Sequence, residues 1–178
     1  MNILLIGGSK SGKSLLAQEV THRLAAGGPL YYWATMEPAD GEDRARIRRH
    51  LAERDGWGFA TVERGRALPG ALPGLEPEGA VLLDSVTALL ANEMFSPQGV
   101  DEAAPQRALE ELLTLSGQLR HLVCVCDDVF RFDGAYDPVT EAYRAGLAHI
   151  CRGLAKRFDT VAEVSVGVPR VWKGEWPV

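Results

Sequence analysis

Asn2-Ile3-Leu4-Leu5-Ile6-Gly7-Gly8-Ser9-Lys10-Ser11-Gly12-Lys13-Ser14 joins an apolar run to a glycine-rich turn, and the fold follows from reading that junction. Ile3 to Ile6 has the profile of a short buried strand, and Gly7 to Ser14 matches the phosphate-binding loop G-x-x-x-x-G-K-S. Each fixed residue has a task. Gly7 and Gly12 permit backbone conformations that a Cβ would hinder, so amides at a helix N-terminus can converge on an anion. Lys13 brings a point charge to the β and γ phosphates, and the Ser14 hydroxyl is the Mg²⁺ ligand of such loops. Gly8, Ser9, Lys10 and Ser11 complete the candidate nucleotide-binding turn. Leu16, Val20 and Leu24 continue at helical spacing to Gly27-Gly28, a stop signal. The plain alternative is a strand-to-helix turn that binds nothing, and the flanking strand and helix favour the phosphate loop.

Pro29 to Thr35 is short and aromatic, as a second strand should be, and it follows the first helix as a βαβ crossover requires. A helix is expected over 40–54, acidic at its start and carrying Arg44, Arg46, Arg48, Arg49 and Arg54, with His50 inside the cluster. Trp57 to Val62 reads as another short strand, and Arg66 to Gly79, with Pro69, Pro73 and Pro77, as an irregular surface connection. Ala80-Val81-Leu82-Leu83-Asp84 is a buried strand closing on a carboxylate, which makes Asp84 the candidate second metal residue beside Ser14. Two helices follow, Ser85 to Phe95 and Ala103 to Leu119, broken at Ser96 to Gly99. A central strand from His121 to Cys126 ends on Asp127-Asp128, where the carboxyl end of a parallel strand faces ligand. A helix from Asp137-Pro138 to Arg157, a strand from Thr160 to Val166 and a terminal Val168 to Trp172 segment complete the chain.

These elements predict an α/β fold: a single-domain P-loop NTPase over 1–178, with a mostly parallel, RecA-like sheet flanked by helices. A net charge of −5 and the absence of long basic runs argue against nucleic acid as a partner. No apolar run approaches the roughly 18 residues of a membrane span, and a cytoplasmic protein is expected. Cys124 and Cys126 lie two apart in an apolar run, so on a strand they share one face as small core residues rather than ligands. His22, His121 and His149 are read as structural.

The chain resembles the bifunctional adenosylcobinamide kinase and adenosylcobinamide-phosphate guanylyltransferase family of cobalamin biosynthesis. The likeness spans nearly the whole length. It is carried by the Gly7 to Ser14 loop, the Tyr31 to Thr35 run, Arg46-Ile47-x-x-His50, Thr61-x-Glu63, Leu82-Leu83-Asp84-Ser85-Val86-Thr87 and the strand ending at Asp127-Asp128. The resemblance implies NTP-dependent phosphorylation of the cobinamide hydroxyl, with Lys13 and Asp84 as catalytic residues, followed by GMP transfer through a guanylylated histidine, His50. It places Trp33, Ala34 and Thr35, Arg46 and Arg49, Leu51, Ala52, Glu53 and Arg54, and Glu63 around the nucleotide. A carboxylate such as Glu63 can accept from two guanine nitrogens and so read the base. Mg²⁺, GTP and/or ATP, a corrinoid substrate and a homo-oligomer, a trimer with sites between subunits, are also implied.

Two segments depart from the family's pattern. Asp127-Asp128-Val129-Phe130 stands where Asn-Glu-Val-Gly is usual, which bears on the acceptor site and the kinase step, and Cys151-Arg152 replaces a usual Asn-Gln pair. Two other readings keep the loop: a kinase for another small alcohol with a structural His50, and a nucleotide-dependent switch subunit. Protein-bound label from α-labelled GTP separates the first reading from both.

Overall fold

A computed structural model describes residues 1–37, 55–131 and 134–177. The helix expected over 40–54 lies outside the described residues, and with it Arg46, Arg49, His50, Leu51, Ala52, Glu53 and Arg54.

The chain runs β1 (Asn2–Gly7), α1 (Lys13–Ala25), β2 (Leu30–Ala34), β3 (Ala60–Glu63), a 3₁₀ helix (Leu68–Gly74), β4 (Ala80–Asp84) and α2 (Val86–Met94). It continues through β5 (Phe95–Ser96), β6 (Gly99–Val100), α3 (Ala104–Gln118), β7 (His121–Asp127), α4 (Pro138–Arg157), β8 (Thr160–Ser165) and β9 (Val168–Lys173). Among the described residues seven strands form one sheet in the order β3-β2-β4-β7-β1-β8-β9, and every pairing in it is parallel except β8 with β9. The expected mostly parallel sheet flanked by helices is the observed architecture.

Strand alternation divides the core into two layers. Leu4, Val81, Leu83, Leu122, Cys124 and Cys126 face α2, α3 and α4, whereas Ile3, Leu5, Leu82, Val123 and Val125 face α1. Both faces are buried, which is why these strands read as continuous apolar runs rather than alternating ones. All three cysteines are buried thiols, and Cys151 of α4 meets Cys126 at 3.6 Å. Helix ends follow local chemistry. The Ser85 side chain caps α2 by accepting from the Ala88 amide at 3.2 Å, and Asp137 caps α4 by accepting from the Val139 and Thr140 amides, each at 3.0 Å. Pro138 occupies the first turn of α4, where its missing N–H costs nothing.

Four local expectations need adjusting. The third strand begins at Ala60, not Trp57, because Gly56 and Gly58 both adopt left-handed backbone (φ 83° and 80°) and hold the chain in a turn. The 66–79 connection is not only surface: Leu68 is fully buried and Leu75 nearly so, and the 3₁₀ helix between them docks on the core. The break at Ser96 to Gly99 is a two-strand hairpin. The terminal segment returns as β9, antiparallel to β8, through a turn in which Val166 and Gly167 take φ 47° and 78°.

Candidate functional site

β1 ends at Gly7, beside Asp127 at the end of β7, so the glycine-rich turn opens at the carboxyl edge of the sheet. That turn has little freedom. A Cβ on Gly7 would lie 2.6 Å from Ser11 Oγ and 2.8 Å from the Val164 carbonyl. Gly12 has φ 87°, and a Cβ there would lie 2.9 Å from Gly167 Cα. The Gly167 amide donates to the Ser11 carbonyl at 2.7 Å, so the β8–β9 turn braces the loop from behind. Lys10 is also left-handed, with φ 58°. No backbone acceptor is found among the described residues for the Lys13 and Ser14 amides, which begin α1 with no side-chain cap. These are donors that a helix start offers to an anion. Ser11 Oγ, buried in the loop, likewise has no partner among the described residues.

The Lys13 side chain is 10% exposed and folds back over the turn. Its ammonium lies 2.7 Å from Asp127 Oδ1 and donates to the Gly8 carbonyl at 3.1 Å. Asp127 was legible in the sequence as an acid at a strand end, but nothing there pairs it with Lys13. Strand alternation supplies the reason: Cys124 and Cys126 face α4, so Asp127 points the other way, toward α1.

Asp84 ends β4, one strand beyond β7, and its Oδ2 accepts from the Tyr32 hydroxyl at 2.7 Å. Thr35 and Ser85 lock the ends of β2 and β4 together: Thr35 Oγ1 donates to the Ser85 carbonyl at 2.8 Å and accepts from the Ser85 amide at 2.7 Å. The Asn92 amide of α2 donates to the Thr35 carbonyl at 2.6 Å. A carboxylate and a hydroxyl are hard oxygen donors of the kind Mg²⁺ takes alongside phosphate and water, so Asp84 and Ser14 fit that ion chemically.

The remaining sequence candidates among the described residues lie elsewhere along the same edge. Trp33 is fully buried, its indole donating to the Arg64 carbonyl at 2.9 Å, and Thr35 is fully buried too, so at this end of β2 a ligand would meet backbone and Ala34. Glu63 ends β3, the exposed edge strand, and is in register with Ala34. At about 4.8 Å per strand, β2 lies roughly 14 Å and β3 roughly 19 Å from β1. Gly7 to Ser14 and the Trp33 to Thr35 and Glu63 group therefore form two separate clusters within a chain.

Sequence reasoning missed the cluster behind Asp127. Thr87 Oγ1 accepts from the Asp127 amide at 2.8 Å, the Thr87 carbonyl accepts from the Tyr143 hydroxyl at 2.7 Å, and Arg144 Nε donates to the Val129 carbonyl at 3.0 Å. Burial raises the Tyr143 phenol above its usual range, so it stays a neutral donor. The Cys151 contact and burial raise the Cys126 thiol as well, which marks it as packing rather than nucleophile.

Comparison with known proteins decides the family. Residues 3–171 match the family described as cobinamide kinase / cobinamide phosphate guanyltransferase. This chain belongs to that family. A Pseudomonas aeruginosa relative, the bifunctional adenosylcobalamin biosynthesis protein CobP, is 32% identical over 183 residues, covering 98% of this chain and 99% of its own. The Salmonella typhimurium protein CobU, of the same description, is 30% identical over 133 residues, 71% of this chain and 68% of that one. Among solved structures, an ATPase of the type III secretion system of pathogenic bacteria superposes with a TM-score of 0.50 at 16% identity, covering 96% of this chain and 56% of that one. That likeness is of fold alone. As a cobinamide kinase / guanyltransferase family member, the chain is a transferase of adenosylcobalamin biosynthesis whose fold takes nucleoside triphosphates. No helix among the described residues is long and apolar enough to cross a membrane.

The departure at Phe130 has a structural account. Phe130 is not among the residues with positive φ, so glycine's backbone freedom is not needed there, and its ring packs on the α2–α4 side of the core.

Proposed function

We propose that this chain phosphorylates adenosylcobinamide at the Gly7 to Ser14 loop and transfers GMP to the product through a guanylylated His50. The observation that carries the reading is the family match across 3–171, which includes the Arg46 to His50 segment, on a chain whose glycine-rich loop and Asp84 end strands at one sheet edge. In the kinase step the loop amides and Lys13 hold the β and γ phosphates, and Ser14 and Asp84 hold Mg²⁺. That ion, when bound, offsets charge on the transferring phosphoryl group. The acceptor hydroxyl oxygen attacks the γ phosphorus in line and gives its proton to solvent; the new O–P bond forms as the bond to the β–γ bridging oxygen breaks, and the nucleoside diphosphate leaves.

In the second step a neutral His50 ring nitrogen attacks the α phosphorus of GTP; a P–N bond forms, the α–β P–O bond breaks, and pyrophosphate leaves. A phosphate oxygen of adenosylcobinamide phosphate then attacks the same phosphorus, the P–N bond breaks and the imidazole is released. Arg46 and Arg49 hold the triphosphate, Trp33 to Thr35 and Leu51 to Arg54 surround it, and Glu63 reads the guanine. One nucleotide-binding domain over 1–178 and a homotrimer that completes its sites between subunits belong to this reading.

The test is labelling with α-labelled GTP. Wild type should carry acid-labile, alkali-stable label, and His50→Ala and His50→Asn should carry none while still phosphorylating cobinamide. Full guanylyl transfer by His50→Ala would refute the covalent route.

A further inference from the structure

A cavity of about 400 Å³ lies between the end of β7 and the first two turns of α4, lined by Asp128, Val129, Arg131, Tyr136, Tyr143 and Arg144, with Thr140 at its α4 wall. We propose that it receives the hydroxyl-bearing end of the corrinoid acceptor. The proposal rests on the kinase reading above and adds to it the place from which the acceptor reaches the phosphate.

Position is the first argument. Asp127 and Asp128 are consecutive at a strand end, so their side chains leave on opposite faces: Asp127 reaches Lys13, and Asp128 lines the cavity on the α4 side. The Asp128 amide donates to the Gly7 carbonyl at 2.9 Å, so the cavity wall is tied directly to the start of the phosphate loop. Thr87, three residues after Asp84, joins the two sides through its bonds to the Asp127 amide and the Tyr143 hydroxyl. A ligand seated there lies at the carboxyl edge of the sheet, beside the loop and away from α1.

Charge is the second argument, and it selects the ligand class. Both cations in the wall already have anions: Arg131 pairs with Asp128 at 2.6 Å and with Glu163, and Arg144 pairs with Glu141 at 2.6 Å. Arg144 also lies over the Tyr136 ring, 4.6 Å from its centroid, and bonds the Val129 carbonyl. A second triphosphate would meet no uncommitted positive group among these residues. Two tyrosine rings, a valine and a neutralised polar rim suit an uncharged molecule with apolar edges and hydrogen-bonding groups.

Size is the third. Ligand pockets run from about 300 to 1,000 Å³, and this one is at the small end, wide enough for an arm of a large macrocycle but not for its ring system. The neighbouring hollow across Asp128 and Arg131, near Trp172, is about 110 Å³ and too small for the same task.

The experiment is equilibrium dialysis of cobinamide, followed by its colour, against full-length protein loaded with a non-hydrolysable ATP analogue. Thr140→Trp should fill the cavity and Tyr136→Ala should remove a wall; Tyr136 is a surface ring, so its loss spares the core. Each should weaken cobinamide binding by about tenfold or more while the Kd for the analogue stays within about twofold of wild type. Retained analogue binding shows that both variants are folded. Unchanged cobinamide affinity in both variants, with a wild type that binds and phosphorylates it, overturns the cavity assignment alone. A wild type that neither binds nor phosphorylates cobinamide overturns the kinase reading, and this proposal with it.

Discussion

Lys13 is paired with an anion of its own chain. Its ammonium sits between Asp127 Oδ1 and the Gly8 carbonyl, in a setting where the side chain is 10% exposed, so a phosphate held at the loop as proposed would compete with a carboxylate 2.7 Å away. Asp127→Asn keeps an acceptor at that position but removes the competing charge. Triphosphate affinity should rise about three- to tenfold, a range suited to a partly exposed pair rather than a fully buried one. Calorimetric titration with ATP and with GTP measures it directly. Weaker binding would instead mean that the carboxylate serves to aim Lys13. The acid itself was visible in the sequence, as were Gly7, Gly12 and Ser14. The ion pair was not, because it joins the first strand's loop to the end of a strand more than 100 residues later.

At the scale of elements, the loop's rigidity comes from a neighbour rather than from its own motif. The β8–β9 turn presses Gly167 against Gly12 and bonds Ser11, so the last hairpin of the sheet supports the first loop of the chain. The 66–79 connection makes the opposite lesson concrete. Three prolines predicted an irregular surface segment, yet it forms a 3₁₀ helix over Leu68–Gly74, Leu68 is fully buried and its amide donates to Glu111 of α3 at 2.8 Å. Propensity reads the backbone; burial is decided by what the segment lies against. Leu68→Ala should therefore lower stability by about 2–5 kcal/mol through a cavity in the core. Denaturant titration checks this, and a loss below about 0.5 kcal/mol would place the segment outside the cooperative core.

Across the whole molecule, the strand order separates two candidate clusters. Gly7 to Ser14 ends β1, while Trp33 to Thr35 and Glu63 end β2 and β3, with β7 and β4 in between. Within one chain the glycine-rich loop thus lies roughly 14 Å from the end of β2 and roughly 19 Å from Glu63 on β3, a separation that suits the two successive reactions proposed above. If neighbouring subunits complete these sites, light scattering should return three times the 19.3 kDa of one chain. A monomer active in both steps would exclude shared sites.

Local pattern alone determined the strand–loop–helix start, the parallel α/β class, the buried cysteines and the acids at the ends of β4 and β7. These depend on short-range periodicity and on turn chemistry, which are properties of neighbouring residues. Only the tertiary structure decided that β7 would lie between β1 and β4, that Asp127 would face Lys13 while Asp128 opened toward α4, and that a terminal hairpin would brace the loop. Strand order and the pairing of distant side chains come from burying two sheet faces at once, a condition set by the whole chain and by no segment of it.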